Sequence, residues 1–124
     1  MKVGIDIVEV KRIKKLSGMS SFIERVFSEK EQSYCKRFKN TYERYAGKFA
    51  AKEAVIKAFK SLPAGELKSF FLKLPLKKIN ILNKSDGMPF LKIEGIKVDA
   101  SLSITHTSDY AAAICIIENA ELVK

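Results

Sequence analysis

The segment from Gly47 to Phe59 constrains this chain most, because the helix it predicts is apolar around nearly its whole circumference. With successive residues about 100° apart on a helix, Glu53, Lys57 and Lys60 fall in one narrow sector. Alanine, valine and phenylalanine side chains cover most of the remaining arc. Helices apolar on all sides are typical of protein interiors. The pattern therefore predicts a long central helix buried among other elements.

The charged sector of this helix predicts a binding site. An unpaired charge in a protein interior is strongly destabilising, so Glu53 and Lys57, one turn apart, need partners there. A metal ion would serve the carboxylate, and a phosphate would serve the lysine. The alternative is an ordinary surface ion pair, since Glu and Lys in this order four residues apart stabilise a helix by about 0.2–0.5 kcal/mol.

Size and charge favour one domain with anionic partners. The 124 residues predict a single domain over residues 1–124. Twenty-three Lys and Arg against fourteen Asp and Glu give a net charge of +9, which suits nucleic acid, a membrane surface, or an acidic protein or metabolite. Cys35 and Cys115 lack metal-ligand spacing and are expected to be core thiols in a reducing compartment. No apolar run approaches the roughly 20 residues of a membrane span, so we expect a cytoplasmic protein.

The first element carries a carboxylate. Residues 3–8 alternate as a half-buried strand does, so Asp6 is expected to point away from the face of Val3, Ile5 and Ile7. Two carboxylates from separate elements, Asp6 and Glu53, suit Mg²⁺, which takes few protein oxygens and adds water and substrate phosphates. Such a set is what phosphoryl-type transfer requires. The alternative is an aspartate that simply faces solvent or bonds to a turn.

The middle of the chain is predicted to be helical. Apolar residues recur at helical spacing up to Phe27, with a break at Ser17–Gly18. Ser28 and Glu31 have the spacing of a capping box, so a short helix is expected to start there. Asn40–Thr41 offers the cap of the long helix, which is expected to end near residue 59 or 60.

The last part of the chain has a strand pattern. Residues 61–75 are expected to form a loop, because they hold three of the punctuating residues Pro and Gly. Four strands are then expected over residues 77–82, 90–93, 101–105 and 110–118. One strand, then helices, then antiparallel strands predict an α+β domain.

Three segments of the chain carry a family resemblance. Residues 4–13 read Gly-Ile-Asp-Ile-Val-Glu-Val-Lys-Arg-Ile, residues 48–59 read Lys-Phe-Ala-Ala-Lys-Glu-Ala-Val-Ile-Lys-Ala-Phe, and residues 103–113 read Ser-Ile-Thr-His-Thr-Ser-Asp-Tyr-Ala-Ala-Ala. In this order and spacing they resemble the holo-acyl-carrier-protein synthases, the small single-domain class of 4'-phosphopantetheinyl transferases. The turn Gly87-Met88-Pro89 matches a smaller motif of that family.

The resemblance implies both a fold and a reaction. The fold would be an antiparallel sheet packed on a long central helix, as in other 4'-phosphopantetheinyl transferases. The reaction would move the phosphopantetheine arm of coenzyme A onto a serine of apo acyl carrier protein and release adenosine 3',5'-bisphosphate, in fatty acid biosynthesis. Family members typically assemble as homotrimers with sites between subunits.

The resemblance also assigns site residues. Asp6 and Glu53 match the Mg²⁺ ligands, and Lys57 matches the lysine that contacts the coenzyme A phosphate and assists proton transfer. The expected coenzyme A contacts, besides Lys57, are Lys48, Ser103, Thr105 and His106. From the residues alone, His106 is equally a satisfied histidine beside a turn, and Ser103 and Thr105 are equally part of a polar sheet face.

A basic first helix is expected to meet the carrier protein. Acyl carrier proteins are small and acidic, so the net charge of +9 would steer and pair with them. We expect Arg12, Lys15, Leu16 and Arg25 in that contact, although basic helices are more often just solvated faces. The resemblance implies neither nucleic acid nor a membrane as a partner.

Two other functions remain open from the sequence. Three departures from the family pattern favour a carrier-binding homologue without catalysis: Lys60 to Gly65 replaces a Gly-Thr-Gly stretch, Ser101 replaces a histidine, and Met88 replaces a basic residue. The charge and the tyrosines favour a small basic nucleic-acid-binding module, which would bind polynucleotide with a steep salt dependence. Against the second, the tyrosines lie on predicted helices and no known binding motif is present.

Overall fold

A computed structural model describes residues 1–19 and 21–123 of the chain, and it is an α+β structure as predicted. The five strands are β1 (Lys2–Glu9), β2 (Ile79–Asn83), β3 (Pro89–Ile93), β4 (Ile96–His106) and β5 (Tyr110–Leu122). The helices are α1 (Val10–Ser17), α2 (Phe22–Val26), α3 (Glu29–Lys36), α4 (Thr41–Lys60) and α5 (Glu66–Leu72), with a 3₁₀ turn at Leu76–Lys78.

The strands form one antiparallel sheet in the order β1-β5-β4-β3-β2. The first strand therefore joins the sheet beside the last one, which brings the amino-terminal motif next to the carboxy-terminal one. The β4–β5 register shifts once, between Asp99 and Ala100. Helix α4 packs across one face of this sheet. The predicted arrangement of an antiparallel sheet on a long central helix is confirmed.

Helix α4 is the core of the molecule. Ala50, Ala54, Val55 and Phe59 are fully buried, as is most of the helix on the side that faces the sheet. Its alanines let the strands approach closely, and close packing without voids is what stabilises an interior. The predicted buried helix is confirmed, with the expected end at Lys60. Asn40 occupies the N-cap position as expected, but its side chain makes no capping hydrogen bond.

Strand β1 meets α4 backbone to backbone at Gly4. A Cβ atom placed on Gly4 would lie 1.8 Å from the carbonyl oxygen of Ala54 and 2.8 Å from the amide nitrogen of Ala58. No side chain fits in that space, so only glycine lets the strand lie this close to the helix. This contact sets the distance between β1 and the second half of α4.

The face of β1 that carries Val3, Ile5 and Ile7 is open to solvent. Val3, Ile5 and Ile7 are 56%, 64% and 66% exposed, whereas Asp6 and Val8 turn toward α4. The alternation was predicted correctly, and Asp6 does point away from the Val3, Ile5 and Ile7 face. The covered face is the one with the glycine and the carboxylate, because α4 approaches there.

The segment expected to be a loop contains α5, so that prediction is wrong. Pro63 and Gly65 dominate the local pattern, but the helix is fixed by a tertiary contact. Its Phe71 ring stacks on Phe59 of α4, with 3.9 Å between ring centroids and 6° between ring planes. In the described part of the chain, none of the helices combines the length and apolar character needed to cross a bilayer.

A buried ion pair joins α3 to α4. The predicted capping box at Ser28 is confirmed, and its Glu31 also accepts a hydrogen bond from Lys52 at 2.7 Å. Both side chains are 0% exposed. Burial lowers the pKa of the Lys52 ammonium to about 8, against the opposing effect of the Glu31 charge.

Candidate active site

One cluster of charged side chains lies between β1 and α4. Strand β1 supplies Asp6, and α4 supplies Glu53 and Lys57 one turn apart. The Lys57 ammonium is 3.2 Å from the Asp6 carboxylate and donates a hydrogen bond to the backbone oxygen of Ile5 at 3.0 Å. The Lys57 side chain is 56% exposed and that of Asp6 is 19% exposed. The sector expected to be buried therefore opens to solvent at the edge of the sheet.

The electrostatics of this cluster favour a cation between the carboxylates. Burial raises the pKa of the Glu53 carboxyl, and the negative charge of Asp6 raises it further. The charges of Lys57, Lys60 and Arg12 act in the opposite direction. A neighbouring negative charge disfavours the ionised form of a carboxyl group, and a cation bound between the two groups stabilises that form. Across residues 1–19 and 21–123, no group of three or more His, Cys, Asp or Glu side chains is arranged to hold a metal.

A second cluster surrounds a cavity of about 120 Å³ on the other side of α4. His106 at the end of β4 has its Nδ1 atom 3.1 Å from the Glu43 carboxylate on the first turns of α4. Buried Lys48 donates hydrogen bonds to the backbone oxygen of Ile81 and to the side-chain oxygen of Asn83. Burial lowers the pKa of the Lys48 ammonium. His106, Glu43, Lys48 and Asn83 all line the cavity.

Asp6, Glu53 and Lys57 do not line the cavity of the second cluster. Five residues separate Lys48 from Glu53, which corresponds to a rotation of about 140° and a rise of about 7.5 Å along a helix. Ser103 and Thr105 on β4 belong to neither cluster. They are exposed and pair with Ile114 and Ala112 of β5. Because side chains alternate along a strand, they occupy the sheet face opposite to His106.

The residues expected to contact a carrier protein lie on α1 and α2. Arg12, Lys15 and Arg25 are exposed, and Leu16 is half-buried against the core. The Arg25 guanidinium donates to the backbone oxygen of Ser21. Arg12 is also close enough to Glu53 to lower the pKa of its carboxyl. The basic helix therefore borders the carboxylate cluster.

Sequence reasoning missed Glu43, Asn83 and the pair of Glu31 and Lys52. A signal for Lys52 was present, since it falls on the apolar arc of α4 together with Lys48. Both lysines lie on the side of α4 that faces α3 and β2. No local pattern identifies Glu43 or Asn83.

A sequence profile described as the 4'-phosphopantetheinyl transferase superfamily matches residues 2–115, which include both clusters. The chain belongs to this superfamily. The transferase match spans the Asp6, Glu53 and His106 segments.

Similar proteins cover almost the whole of this transferase chain. The holo-[acyl-carrier-protein] synthase of Thermodesulfovibrio yellowstonii is 41% identical over 117 residues, which are 93% of this chain and 96% of that protein. The ACPS–CoA complex of Chronobacterium ammoniagenes has a TM-score of 0.77 at 31% identity, covering 94% of this chain and 95% of that one. The Helicobacter pylori holo-[acyl-carrier-protein] synthase in complex with coenzyme A has a TM-score of 0.75 at 29% identity, covering 94% and 99%. The expected transferase family and fold are confirmed.

The departures from the family motifs lie away from the carboxylates of this transferase. Residues 61–65 follow the end of α4, and their backbone turns toward α5. Ser101 lies exposed on the open sheet face, and Met88 is 55% exposed in the β2–β3 turn. None of the three positions carries a side chain of the Asp6, Glu53 and Lys57 cluster.

Proposed function

We propose that this protein transfers the 4'-phosphopantetheine arm of coenzyme A to a serine of apo acyl carrier protein, with Mg²⁺, and releases adenosine 3',5'-bisphosphate. One observation carries the proposal: in a member of this superfamily, Asp6, Glu53 and Lys57 come together at the sheet edge. The names of relatives supply the two substrates, acyl carrier protein and coenzyme A. The pathway served would be fatty acid biosynthesis in the cytoplasm, by residues 1–124 acting as one domain.

The donor set fits Mg²⁺. This ion binds through one or two carboxylates and leaves its other positions to water and substrate phosphates. Asp6 and Glu53 supply two oxygen donors, and burial together with the charge of Asp6 raises the pKa of the Glu53 carboxyl. When bound, Mg²⁺ would neutralise the pyrophosphate of coenzyme A and polarise the phosphorus under attack.

The transfer makes one bond to phosphorus and breaks another, and the chain's own residues offset the charge that develops. The serine oxygen of the carrier bonds to the β-phosphorus of coenzyme A, and the bond from that phosphorus to the bridging oxygen breaks. The leaving adenosine 3',5'-bisphosphate takes the bridging oxygen with its electron pair. Lys57, on a long and exposed side chain, offsets that charge and the negative charge that develops on the serine oxygen, which assists loss of the serine proton to water. No covalent enzyme intermediate is needed.

The nucleotide end of coenzyme A is proposed to bind in the second cluster, with Lys48 and His106. Because the two clusters lie on different sides of α4, a complete site would combine the carboxylates of one copy with the cavity of another. The exposed apolar face of β1 supports such an assembly, since contiguous apolar surface marks interaction sites. We propose that this assembly is a homotrimer, as the family resemblance implies, with Ser103 and Thr105 near the nucleotide at the interface.

The proposed trimer predicts that a charge placed in the open apolar face of β1 lowers the molecular mass of the assembly in solution. Ile5→Glu places a charge in the open apolar face of β1 and should shift the protein from trimer to monomer in size-exclusion chromatography with light scattering. Leu72→Glu is the matched control, because Leu72 is also exposed and apolar but lies on α5. A monomeric unmodified protein, or an Ile5→Glu variant that stays trimeric, would contradict the assembly.

The carrier protein is proposed to approach through α1 and α2. Arg12, Lys15 and Arg25 would pair with its acidic residues, and Leu16 would add apolar contact. Charge pairs of this kind raise association rates more than affinity. Neither nucleic acid nor a membrane is part of this proposal.

Intact-mass spectrometry of apo acyl carrier protein tests the reaction directly. The carrier is incubated with this protein and coenzyme A, once with Mg²⁺ and once with EDTA. We expect the mass of one phosphopantetheine arm to be gained only with Mg²⁺. Tight carrier binding without any gain would instead support the non-catalytic homologue, and salt-sensitive binding to polynucleotide would support the nucleic-acid-binding module.

A further inference from the structure

A bridge of side chains connects buried Lys48 to the turn between β2 and β3. The Lys48 ammonium donates to the Asn83 side-chain oxygen at 2.6 Å. The Asn83 side-chain nitrogen in turn donates to the backbone oxygen of Gly87 at 3.0 Å. Lys48 also donates to the backbone oxygen of Ile81, which fixes it to β2. A continuous path of hydrogen bonds therefore runs from the central helix to the tip of a hairpin.

The lysine determines which way the amide of Asn83 points. An ammonium group has three donors and no acceptor, whereas an amide has one oxygen acceptor and one nitrogen donor group. Beside Lys48 only the oxygen makes a favourable contact. The nitrogen of Asn83 must then face the turn, where it meets the Gly87 carbonyl.

The turn forms one wall of the cavity that Lys48 and His106 line. Gly87 has φ +92, which disfavours any other residue there, and its amide donates to the Lys84 oxygen at 2.9 Å. Asn83, Gly87 and Pro89 line the cavity with Lys48 and His106. The other hydrogen bonds of the turn are local, from residues 84 to 88. The Asn83 side chain thus connects the turn to α4.

We propose that Asn83 is a positioning residue, which transmits the position of Lys48 to the turn and holds the cavity wall in the shape that binds the nucleotide end of coenzyme A. This inference rests on the proposed function, because it names the ligand of the same cavity. It assigns Lys48 a second task, the orientation of Asn83, beside any direct contact with the ligand. Loss of Asn83 should weaken coenzyme A binding and leave the chemical step unchanged.

The informative substitution is Asn83→Asp. Aspartate keeps an oxygen facing Lys48, so the link between α4 and β2 survives, but the donor to Gly87 is lost. A net hydrogen bond of about 0.5–1.5 kcal/mol corresponds to about 2- to 10-fold in binding. We expect the Kd and KM for coenzyme A to rise by about that factor, with kcat unchanged and the protein still folded at the assay temperature. Hydrogen–deuterium exchange should become faster across residues 84–88.

Two further variants separate this effect from simpler ones. Asn83→Leu has no charge, so a loss of affinity shared with Asn83→Asp is not repulsion of a phosphate. Asn80→Asp makes the same chemical change in the same strand outside the cavity, and it should leave both affinity and exchange unchanged.

The outcomes distinguish this inference from the proposed function. Unchanged exchange in both Asn83 variants, or faster exchange with unchanged affinity for coenzyme A, would overturn the positioning role. An unmodified protein that binds coenzyme A in calorimetry but transfers nothing would refute the proposed function and leave the role of Asn83 standing. An unmodified protein that does not bind coenzyme A would overturn both.

Discussion

The Glu31→Ala variant should lose about 3–5 kcal/mol of unfolding free energy, which is the usual effect of removing one partner from a buried ion pair. The substitution leaves the Lys52 ammonium fully buried without its counter-charge. Because net stabilities are only about 5–15 kcal/mol, a loss of this size threatens the folded state at ordinary temperature.

The loss is large because Glu31 connects three elements at once. Its carboxylate accepts from Lys52 of α4, from the backbone amide of Ile81 at 2.7 Å and from that of Ser28 at 2.9 Å. Lys52 also donates to the backbone oxygens of Val26 and Leu76. Removing the carboxylate therefore leaves two backbone donors without an acceptor and the Lys52 ammonium without a counter-charge, and unsatisfied buried groups each cost about 1–3 kcal/mol.

Urea unfolding followed by circular dichroism measures this effect. Glu29→Ala is the matched control, since Glu29 is an exposed glutamate in the same first turn of α3 and should change stability by only about 0.3–1 kcal/mol. The double variant Glu31→Leu, Lys52→Met should recover part of the loss, because no charge is left buried. If Glu31→Ala were as stable as Glu29→Ala, the buried pair would not be holding these elements together.

Asp6→Ala and Glu53→Ala are each expected to slow phosphopantetheine transfer by about 10²–10³-fold, the effect typical of removing one preorganised electrostatic contact from a transition state. Each substitution removes one of two carboxylates proposed to hold Mg²⁺. Asp6→Ala also removes the ion-pair partner of Lys57. Transfer rates measured by intact mass of the carrier, across a range of Mg²⁺ concentrations, give both the rate and the metal requirement.

A matched control separates this effect from a general loss of charge. Asp99→Ala removes an exposed aspartate from β4, away from the cluster, and should keep the full rate. All three variants should keep their circular dichroism spectra, because neither Asp6 nor Glu53 forms part of the apolar core. Normal transfer by either Asp6→Ala or Glu53→Ala would exclude the proposed metal site.

The sequence predicts those parts of this protein that depend on local periodicity. The long helix and its Glu53 and Lys57 sector follow from the spacing of residues along α4, and the direction of Asp6 follows from alternation along β1. Helix α5 could not be predicted in the same way, because its Phe71 is fixed by stacking on Phe59. A local sequence pattern shows helix-breaking residues such as Pro63, but it does not show a contact between two separate elements.

The side-chain pairs that join distant elements could not be predicted, since the partners are far apart in the chain. Lys52 is 21 residues from Glu31, and His106 is 63 residues from Glu43. A lysine on an apolar arc is usually expected to extend its ammonium to solvent. The carboxylates and carbonyl oxygens that contact these side chains belong to other elements, so only the fold shows them.

The contact of Gly4 with α4 has a consequence for any attempt to change the ion preference of the proposed Mg²⁺ site. Asp6 lies two residues after Gly4, and Glu53 directly precedes Ala54, whose carbonyl oxygen borders the glycine. The spacing of the two carboxylates is therefore set by contact between the backbones of β1 and α4. No side chain lies between the two backbones at Gly4, so substitution of a side chain there cannot adjust the spacing. Mg²⁺ binds oxygen at about 2.0–2.1 Å and Ca²⁺ at about 2.3–2.6 Å. An engineer seeking to admit the larger ion would need to shift a whole strand, so changes of ion preference should arise more readily by altering carboxylate length, as in Asp6→Glu.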